Sequence, residues 1–374
     1  MAASVLSAPC VRELSPVAEF SREQLPAIVM VFMAGVAAAY LQHGFLPGSD
    51  RSFPLAGVRV PIWHLLWMGF WTGYTMGVVG EASGIFALPY SISILQFSNA
   101  HVSPSTQVLT FLNPFGALLG FRRERQWNLD LAKWVCLGGM AGGLIGPFLR
   151  VFLVPDPRPF KAVLGLCLFV LGWHLCYEAT PWFRRNTGAA SLLPSKFAAA
   201  AQARRAAGLA PSGLPDGGSI ATIAKSRTCL TIAFWNETWS LNIPLLVAVG
   251  FTVGVVASMM GVGGGFLLVP IFATLYRLPI YVLVAATIPY VIATSAVGLL
   301  TYSVVVPAFT SAVSQPEWAW GFFAASGGIL GSWCAAKTQK FIPETLLKLM
   351  LGGVTGLAGL LYALDFFVPL PFKL

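Results

Sequence analysis

The chain alternates between long apolar runs and short polar loops. Nine apolar runs stand out, over residues 26–46, 62–96, 101–121, 131–153, 160–179, 242–276, 281–307, 318–338 and 344–368. Most of them have about the 20 residues that an α-helix needs to cross a bilayer. The pattern predicts an all-α integral membrane protein, and residues 27–45 form a retained first helix because the segment before them does not resemble a cleaved signal peptide.

Two of the runs, 62–96 and 242–276, have about 35 residues each, more than one straight crossing requires. Each is interrupted by a glycine cluster that is followed by a proline. Long, broken and glycine-rich segments are typical of discontinuous or re-entrant helices in membrane proteins.

The two long runs are also copies of each other. A constant offset of 181 residues pairs Gly69 with Gly250 and Pro89 with Pro270, together with the glycines between them. Each copy is followed by three further apolar runs. The chain therefore contains an internal repeat, in which each half is one broken segment plus three transmembrane helices.

The repeat predicts four parts in the chain. Residues 1–61 hold an N-terminal tail and one extra transmembrane helix, 62–180 form repeat one, 181–241 form a polar linker, and 242–374 form repeat two. Within and just beyond the linker, residues 228–243 alternate in polarity as strands do, which predicts a small β-hairpin.

Loop charges indicate how the two halves are oriented. Three arginines lie between positions 122 and 125, whereas the equivalent loop 306–317 has no Lys or Arg. Conversely, Lys337 and Lys340 make one loop of repeat two more basic than its counterpart around Asp156. Because basic residues concentrate in cytoplasmic loops, the swapped bias predicts inverted repeats, with the N-terminus and linker cytoplasmic and the C-terminus external.

Composition agrees with the membrane prediction. The chain is 56% hydrophobic and 10% charged, where soluble chains carry about 25% charged residues. Its net charge of +9 lies in short loops rather than along a groove, which argues against nucleic-acid binding. The six cysteines and four histidines have no metal-ligand spacing, so neither a metal nor a cofactor is predicted.

The glycine clusters are the sharpest candidate for a binding site. Residues 261–270 read Gly-Val-Gly-Gly-Gly-Phe-Leu-Leu-Val-Pro, and residues 80–89 of repeat one read Gly-Glu-Ala-Ser-Gly-Ile-Phe-Ala-Leu-Pro. Such glycines allow the backbone to turn, and the restarting helix presents its positive N-terminal end, which suits an anion. The alternative is that the glycines only permit close helix packing, which we expect for Gly69, Gly73, Gly77, Gly250 and Gly254.

Polar side chains in the following helix of each half are candidates to bind oxyanion oxygens, or alternatively to hydrogen-bond neighbouring helices. The candidate substrate-binding residues are Ser83, Gly84, Thr106, Gln107, Asn113, Gly263, Gly264, Gly265, Thr287, Tyr290 and Thr294. Lys133, Arg150 and Lys348 lie near the ends of apolar runs, and we expect them to extend toward lipid headgroups.

Glu81 is the candidate for proton coupling. A carboxylate within a glycine-rich membrane segment is costly unless it faces water or a partner. Beside an anion site it would repel the substrate unless protonated, so it could carry a coupling proton. Alternatively, it could cap the following half-helix.

The repeated Gly-rich segment, ending in Gly-x-Gly-Gly-Gly-Phe-Leu-x-x-Pro and followed by three helices, resembles the sulfite exporter TauE/SafE family over residues 69–364. The second copy matches closely, whereas the first has Glu-Ala-Ser-Gly in place of the glycine triplet. The resemblance implies transport of sulfite, of a sulfonate such as sulfoacetate or of a related sulfur oxyanion. It also implies a bacterial inner membrane location.

These observations predict a secondary transporter of a small anion in a lipid bilayer, bound at the midplane between two half-helix N-termini. A passive anion channel and a membrane-embedded enzyme are the alternatives. The dispersed histidines and scarce intramembrane acids disfavour the enzyme. The sequence leaves open whether the protein forms a homodimer.

Overall fold

The computed structural model describes residues 20–44, 52–79, 83–97, 99–123, 128–180, 220–234, 237–276, 278, 280–310, 315–338 and 344–367. This part of the chain is mostly helical, as the apolar pattern predicts. Glu81 and residues 181–219 of the predicted linker lie outside the described ranges.

The N-terminal part and repeat one form six helices and a short β-hairpin. They are α1 (Leu25–His43), β1 (Ser52–Phe53), β2 (Val58–Arg59), α2 (Ile62–Val79), α3 (Gly84–Pro89, continued by Tyr90–Ile94), α4 (Val102–Arg123), α5 (Leu129–Phe148, continued by Leu149–Leu153) and α6 (Pro157–Glu178). The break between α2 and α3 falls where the sequence predicts it. The hairpin of β1 and β2 is not predicted by the sequence pattern.

Repeat two follows a three-stranded antiparallel sheet of order β3-β4-β5. The elements are β3 (Ala221–Lys225), β4 (Cys229–Phe234), β5 (Glu237–Asn242), α7 (Ile243–Met260), α8 (Gly265–Tyr276), α9 (Ile280–Leu300, continued by Thr301–Val305 and Val306–Phe309), α10 (Trp318–Thr338) and α11 (Glu344–Phe367). β4 and β5 occupy the stretch where alternating polarity predicts a hairpin, and β3 adds a third strand.

The sheet and the β1–β2 hairpin mark two ends of the helix bundle. At the sheet end, the Asn128 side chain accepts a hydrogen bond from Leu131 N at the start of α5 and donates one to Thr222 of β3. At the hairpin end, Glu317 before α10 accepts hydrogen bonds from His43 (2.6 Å) and from Leu55 N (3.1 Å). We call these regions the sheet end and the hairpin end.

The broken segments start at opposite ends and turn back on themselves. α2 follows the hairpin directly, whereas α7 follows β5 of the sheet. In the second segment, Tyr276 at the end of α8 donates a hydrogen bond to Asn242 O, just before α7 (3.4 Å). In the first, Asn99 after α3 donates to Leu55 O in the hairpin before α2 (2.8 Å). Each segment therefore begins and ends on one side.

Helices of the two repeats pack in exchanged pairs. The broken helix α2 packs against α10 of repeat two, and its counterpart α7 packs against α5 of repeat one, the helix that corresponds to α10. The two helices that follow the breaks, α4 and α9, contact each other, and so do the last helices, α6 and α11. The core is thus built mainly between the repeats.

Glycines make these crossings close. A Cβ on Gly73 of α2 would collide with the backbone of Gly328 on α10, and one on Gly254 of α7 would lie 2.6 Å from Gly139 O of α5. These distances are shorter than any real Cβ contact, so only glycine fits at such crossings. This agrees with the packing role expected for Gly73 and Gly254.

Five helices of the described part are long and apolar enough to cross a membrane: Leu25–His43, Leu129–Leu153, Pro157–Glu178, Ile243–Met260 and Ala286–Phe309. The sequence predicts about nine hydrophobic segments. α4 is not among the five, because Ser, Thr, Gln and Asn residues within it lower its mean hydropathy. Those polar residues include the candidate site residues Thr106, Gln107 and Asn113.

Candidate functional site

The second repeat is broken between α7 and α8 by its glycine cluster. The amide of Gly261 closes α7 with a hydrogen bond to Ala257 O (2.8 Å). Gly261, Gly263 and Gly264 have φ angles of 77°, 79° and 74°, in the left-handed region that residues with a Cβ rarely adopt. α8 then begins at Gly265, where the first amide N–H groups of a helix have no partner within it.

The first repeat is broken between α2 and α3, and α3 restarts at Ser83 and Gly84. Ser83 is fully buried, and its carbonyl accepts hydrogen bonds from Phe86 N (3.3 Å) and Ala87 N (3.1 Å), which open the helix. Gly84 does not have a positive φ. Glycine at position 84 is therefore explained by the room available for a Cβ and not by the backbone conformation.

The two breaks touch at this glycine. A Cβ on Gly84 would lie 2.6 Å from Cα of Val262 and 3.1 Å from the carbonyl oxygen of Gly261. Both distances are shorter than ordinary van der Waals contact. The restarting helix of repeat one thus lies directly against the turn of repeat two, and we call residues 83–84 and 261–265 the junction.

One helix from each repeat flanks the junction. On α4, the Thr110 hydroxyl donates to Thr106 O (2.9 Å) and lies 3.4 Å from Gly261 O. On α9, the Ser295 hydroxyl would lie 3.4 Å from a Cβ placed on Gly263. One hydroxyl of α4 and one of α9 therefore lie against the junction.

Several buried polar side chains around the junction have no hydrogen-bond partner among the described residues. They are the hydroxyls of Ser83, Ser258 and Ser295 and both amide atoms of Gln107, and each of these residues is 0% exposed. The Asn113 amide, further along α4, is likewise buried without a partner among the described residues. The great majority of buried polar atoms in native proteins are paired, because an unpaired one loses its hydration. Such a group of unpaired donors and acceptors is the expected lining of a site for a polar ligand.

A family model described as "Sulfite exporter TauE/SafE" matches the chain over residues 16–175 and 65–362, which together span most of its length. The chain belongs to the sulfite exporter TauE/SafE family. Family membership and the apolar helices together indicate that the protein crosses the membrane several times and is a transporter of the sulfite-exporter type. Searches of curated proteins and of solved structures gave no match.

In this TauE/SafE protein, seven of the predicted site residues lie at or beside the junction. They are Ser83, Gly84, Gly263, Gly264 and Gly265 of the two breaks and Thr106 and Gln107 of α4. Gln107 packs against Gly298 of α9, next to the Ser258 hydroxyl, so its amide faces the end of α7. The junction thus gathers polar groups from both repeats.

Asn113, Tyr290 and Thr294 lie instead at the crossings of glycine-bearing helices. The Tyr290 hydroxyl donates to Gly250 O of α7 (2.9 Å), although its ring also borders Gly264. Thr294 and Asn113 approach glycines of α5 and α10, respectively. The tyrosine hydrogen bond fits the alternative interpretation, in which such residues join neighbouring helices. Thr287 is buried on α9.

The sequence interpretation did not select Ser258 as a site residue. It lies on α7 three residues before the glycine cluster, and its hydroxyl is buried without a partner among the described residues. The available signal was a single serine in the apolar stretch Val255–Met260. A lone serine in an apolar helix is equally well explained as a small packing residue, so the sequence does not predict a binding role for it.

The expectation that Arg150 extends toward lipid headgroups is wrong. Lys133, near the start of α5, is exposed as expected. Arg150 is 0% exposed and turns inward at the end of α5, where its guanidinium lies 4.0 Å from the centre of the Phe160 ring. Its sequence position near a helix end gave no indication of this, because the inward direction depends on the helices around it.

Proposed function

We propose that this protein is a secondary transporter that binds a small sulfur oxyanion at the junction. The observation that carries the proposal is the meeting of two helix breaks, one from each repeat, amid fully buried polar side chains that have no partner in the described part of the chain. A structural core has no need of such groups, since each unpaired one destabilises the fold by about 1–3 kcal/mol. A ligand that accepts and donates hydrogen bonds would offset that loss.

The chemistry of the junction favours an anion. α8 starts there with its N-terminal amides, where the helix dipole places partial positive charge. The hydroxyls of Ser83, Ser258 and Ser295 and the amide of Gln107 can all donate hydrogen bonds. Sulfite and sulfonates present three oxygens around one sulfur, which suits donors converging from several helices. The family supports a sulfur oxyanion as the substrate class.

The exchange of helix partners supports an inverted repeat. The broken segments start at opposite ends, and each returns to its own side. This is the arrangement that the loop charges predict. We propose that the sheet end faces the cytoplasm of a bacterial cell and that the hairpin end faces outward. Rocking one repeat against the other would then expose the junction alternately to the two sides.

Proton coupling through Glu81 is part of the proposal. Glu81 lies two residues before Ser83 in the sequence, so a protonated carboxyl there would remove repulsion when the anion binds. Glu81→Gln is expected to abolish the dependence of transport on a pH gradient. Unchanged rate and pH dependence in this variant would reject the role.

Reconstitution into liposomes tests the proposed function. The purified protein is assayed for uptake of sulfite, sulfoacetate, sulfate and chloride, with and without a pH gradient. We expect saturable flux of sulfite or a sulfonate, accelerated by unlabelled substrate on the opposite side. Non-saturable flux without this counterflow would identify a passive channel, and flux of no anion at all would contradict the anion assignment.

A further inference from the structure

Arg150 is a buried cation with no carboxylate partner among the described residues. It lies near the end of α5, a helix apolar enough to cross the membrane, and is fully inaccessible to solvent. Its Nε donates to the Ser103 hydroxyl (3.3 Å), and one terminal nitrogen, Nη1, donates to the carbonyls of Val154 and of Pro155 (3.2 Å). The other terminal nitrogen, Nη2, is buried without a partner in the described part of the chain.

These contacts hold the side chain without neutralising it. Carbonyl and hydroxyl oxygens supply partial negative charge, and the Phe160 ring face adds a cation–π contact. A cation buried in a membrane protein remains costly unless it is paired, and such residues commonly mark ion pathways. Arginine presents a planar fork of donors that matches the oxygens of an oxyanion. A guanidinium whose Nη2 has no partner within the described ranges is therefore suited to a small anion.

The guanidinium is connected to the junction through Ser103, its hydrogen-bond partner on α4. Its partner Ser103 lies against the turn of repeat two, because a Cβ on Gly261 would collide with Ser103 O. Across the same region, the Tyr302 hydroxyl donates to the carbonyls of Ser258 (3.2 Å) and Met259 (3.1 Å), the last turn of α7. Arg150 thus lies beside the junction, toward the hairpin end of α4.

We propose that Arg150 forms a second oxyanion-binding position, between the junction and the hairpin end, which the substrate occupies on its way to or from the junction. This inference rests on the proposed function for the identity of the anion. Ser103 fixes the guanidinium from α4, and the Phe160 ring fixes it from α6. The free Nη2 takes one oxygen of the anion.

The test compares Arg150→Gln and Arg150→Lys with the control Arg158→Gln, which removes an exposed arginine eight residues along the chain. Sulfite uptake is measured against concentration in proteoliposomes. We expect Arg150→Gln to raise the apparent KM about tenfold or more, which corresponds to about 1.4 kcal/mol, with a smaller change in maximal rate. Arg150→Lys keeps the charge but lacks the fork, so its KM is intermediate. The control matches the wild type.

Binding is measured separately, as the rise in Tm that sulfite causes in detergent, without and with phosphatidylglycerol. We expect sulfite to stabilise the wild type without anionic lipid and to stabilise Arg150→Gln less. Stabilisation by the lipid alone would assign the position to a headgroup and overturn the proposal. If Arg150→Gln does not fold, Arg150→Lys carries the test, and an unchanged KM and Tm response in that variant would overturn it too.

The two proposals fail in different ways. A folded wild type that neither transports nor is stabilised by any sulfur oxyanion contradicts the proposed function. A wild type that does both, with folded Arg150 variants that keep its KM, contradicts only the role of Arg150. In that case the guanidinium would serve to join α5, α4 and α6.

Discussion

At the residue scale, Gly84 lies where one added carbon would meet the backbone of the other repeat. The collision would involve Cα of Val262, which cannot rotate away as a flexible side chain can. Gly264 is constrained twice, by its φ of 74° and by the Tyr290 ring, whose Cε1 would lie 3.0 Å from a Cβ. Single substitutions at these glycines therefore change the relation between the two repeats.

Gly84→Ala is expected to reduce sulfite uptake at least tenfold, because the added methyl group separates the two breaks. The control is Gly353→Ala on α11, where a Cβ would have nothing within 4 Å. Both proteins are purified, checked for folding by thermal unfolding and assayed in liposomes. Normal uptake by Gly84→Ala would show that close contact at the junction is dispensable.

Gln107→Leu separates binding from folding. The Gln107 amide is buried and has no partner among the residues that the structure describes. Replacing it by an apolar group of similar size should leave the free energy of unfolding unchanged or raise it by about 1 kcal/mol. The same change removes hydrogen bonds to the anion, so we expect uptake to be lost. This combination of kept stability and lost activity is typical of binding residues.

Ser326→Ala is the matched control for this variant. Its hydroxyl is also buried but donates to Phe323 O (2.7 Å), so we expect slightly lower stability and normal uptake. If Gln107→Leu transported normally, Gln107 would not be a substrate ligand.

At the residue scale, the sequence predicts the turn of the second broken segment, because a triple glycine exceeds what packing requires. Gly263 and Gly264 have the positive φ angles that such a turn needs, and their role in substrate binding stays a prediction. Gln107 and Tyr290 could not be told apart in the sequence, since both are polar residues in apolar helices. Only the structure shows that the Tyr290 hydroxyl is bonded to Gly250 O, whereas the Gln107 amide has no partner among the described residues.

At the scale of elements, glycine-lined crossings hold the broken helices in place. Gly331 of α10 lies against the carbonyl of Phe70 on α2, and Gly142 of α5 lies against the carbonyl of Phe251 on α7. These are equivalent contacts in the two repeats. In the sequence, segments 142–146 and 327–331 share their glycine spacing and pair Gly142 with Gly327, whereas these contacts pair Gly142 with Gly331, about one helical turn further along. The sequence therefore indicates the glycine-lined crossings but not their register.

Gly331→Val is expected to lower the free energy of unfolding by about 1–3 kcal/mol or more, because the larger side chain forces α2 and α10 apart. Thermal unfolding in detergent measures the effect, with Gly353→Val as the control of equal added volume. Equal Tm values for the two variants would contradict the close crossing.

Elements with long apolar runs were predictable, whereas short ones were not. Helix bounds follow the hydropathy pattern because lipid requires about 20 apolar residues per crossing. The strands Ser52–Phe53 and Val58–Arg59 are too short for any pattern to show, and β3 has no clear alternation of exposure. The inward turn of Arg150 depends on Ser103 and Phe160, which lie on other helices.

At the scale of the whole molecule, each repeat completes the other. Neither broken helix packs mainly within its own repeat, since α2 lies on α10 and α7 on α5. A site at the junction therefore needs both halves, and relative motion of the halves would change it. Only the loop charges predict which end of the molecule faces the cytoplasm.

Labelling of single cysteines tests the orientation. Arg227→Cys lies in the exposed β3–β4 turn, and Arg59→Cys lies in the exposed hairpin before α2. In intact cells, a membrane-impermeant maleimide should label Arg59→Cys and should reach Arg227→Cys only after the membrane is opened. Labelling of both from the same side would contradict opposite placement of the two ends.

The central claim is that the junction binds a sulfur oxyanion, and equilibrium binding of radiolabelled sulfite to the purified protein tests it most directly. We predict saturable binding by the wild type that sulfoacetate displaces and chloride does not, and loss of that binding in folded Gln107→Leu. A folded wild type that binds no sulfur oxyanion, or equal binding by Gln107→Leu, would contradict the account.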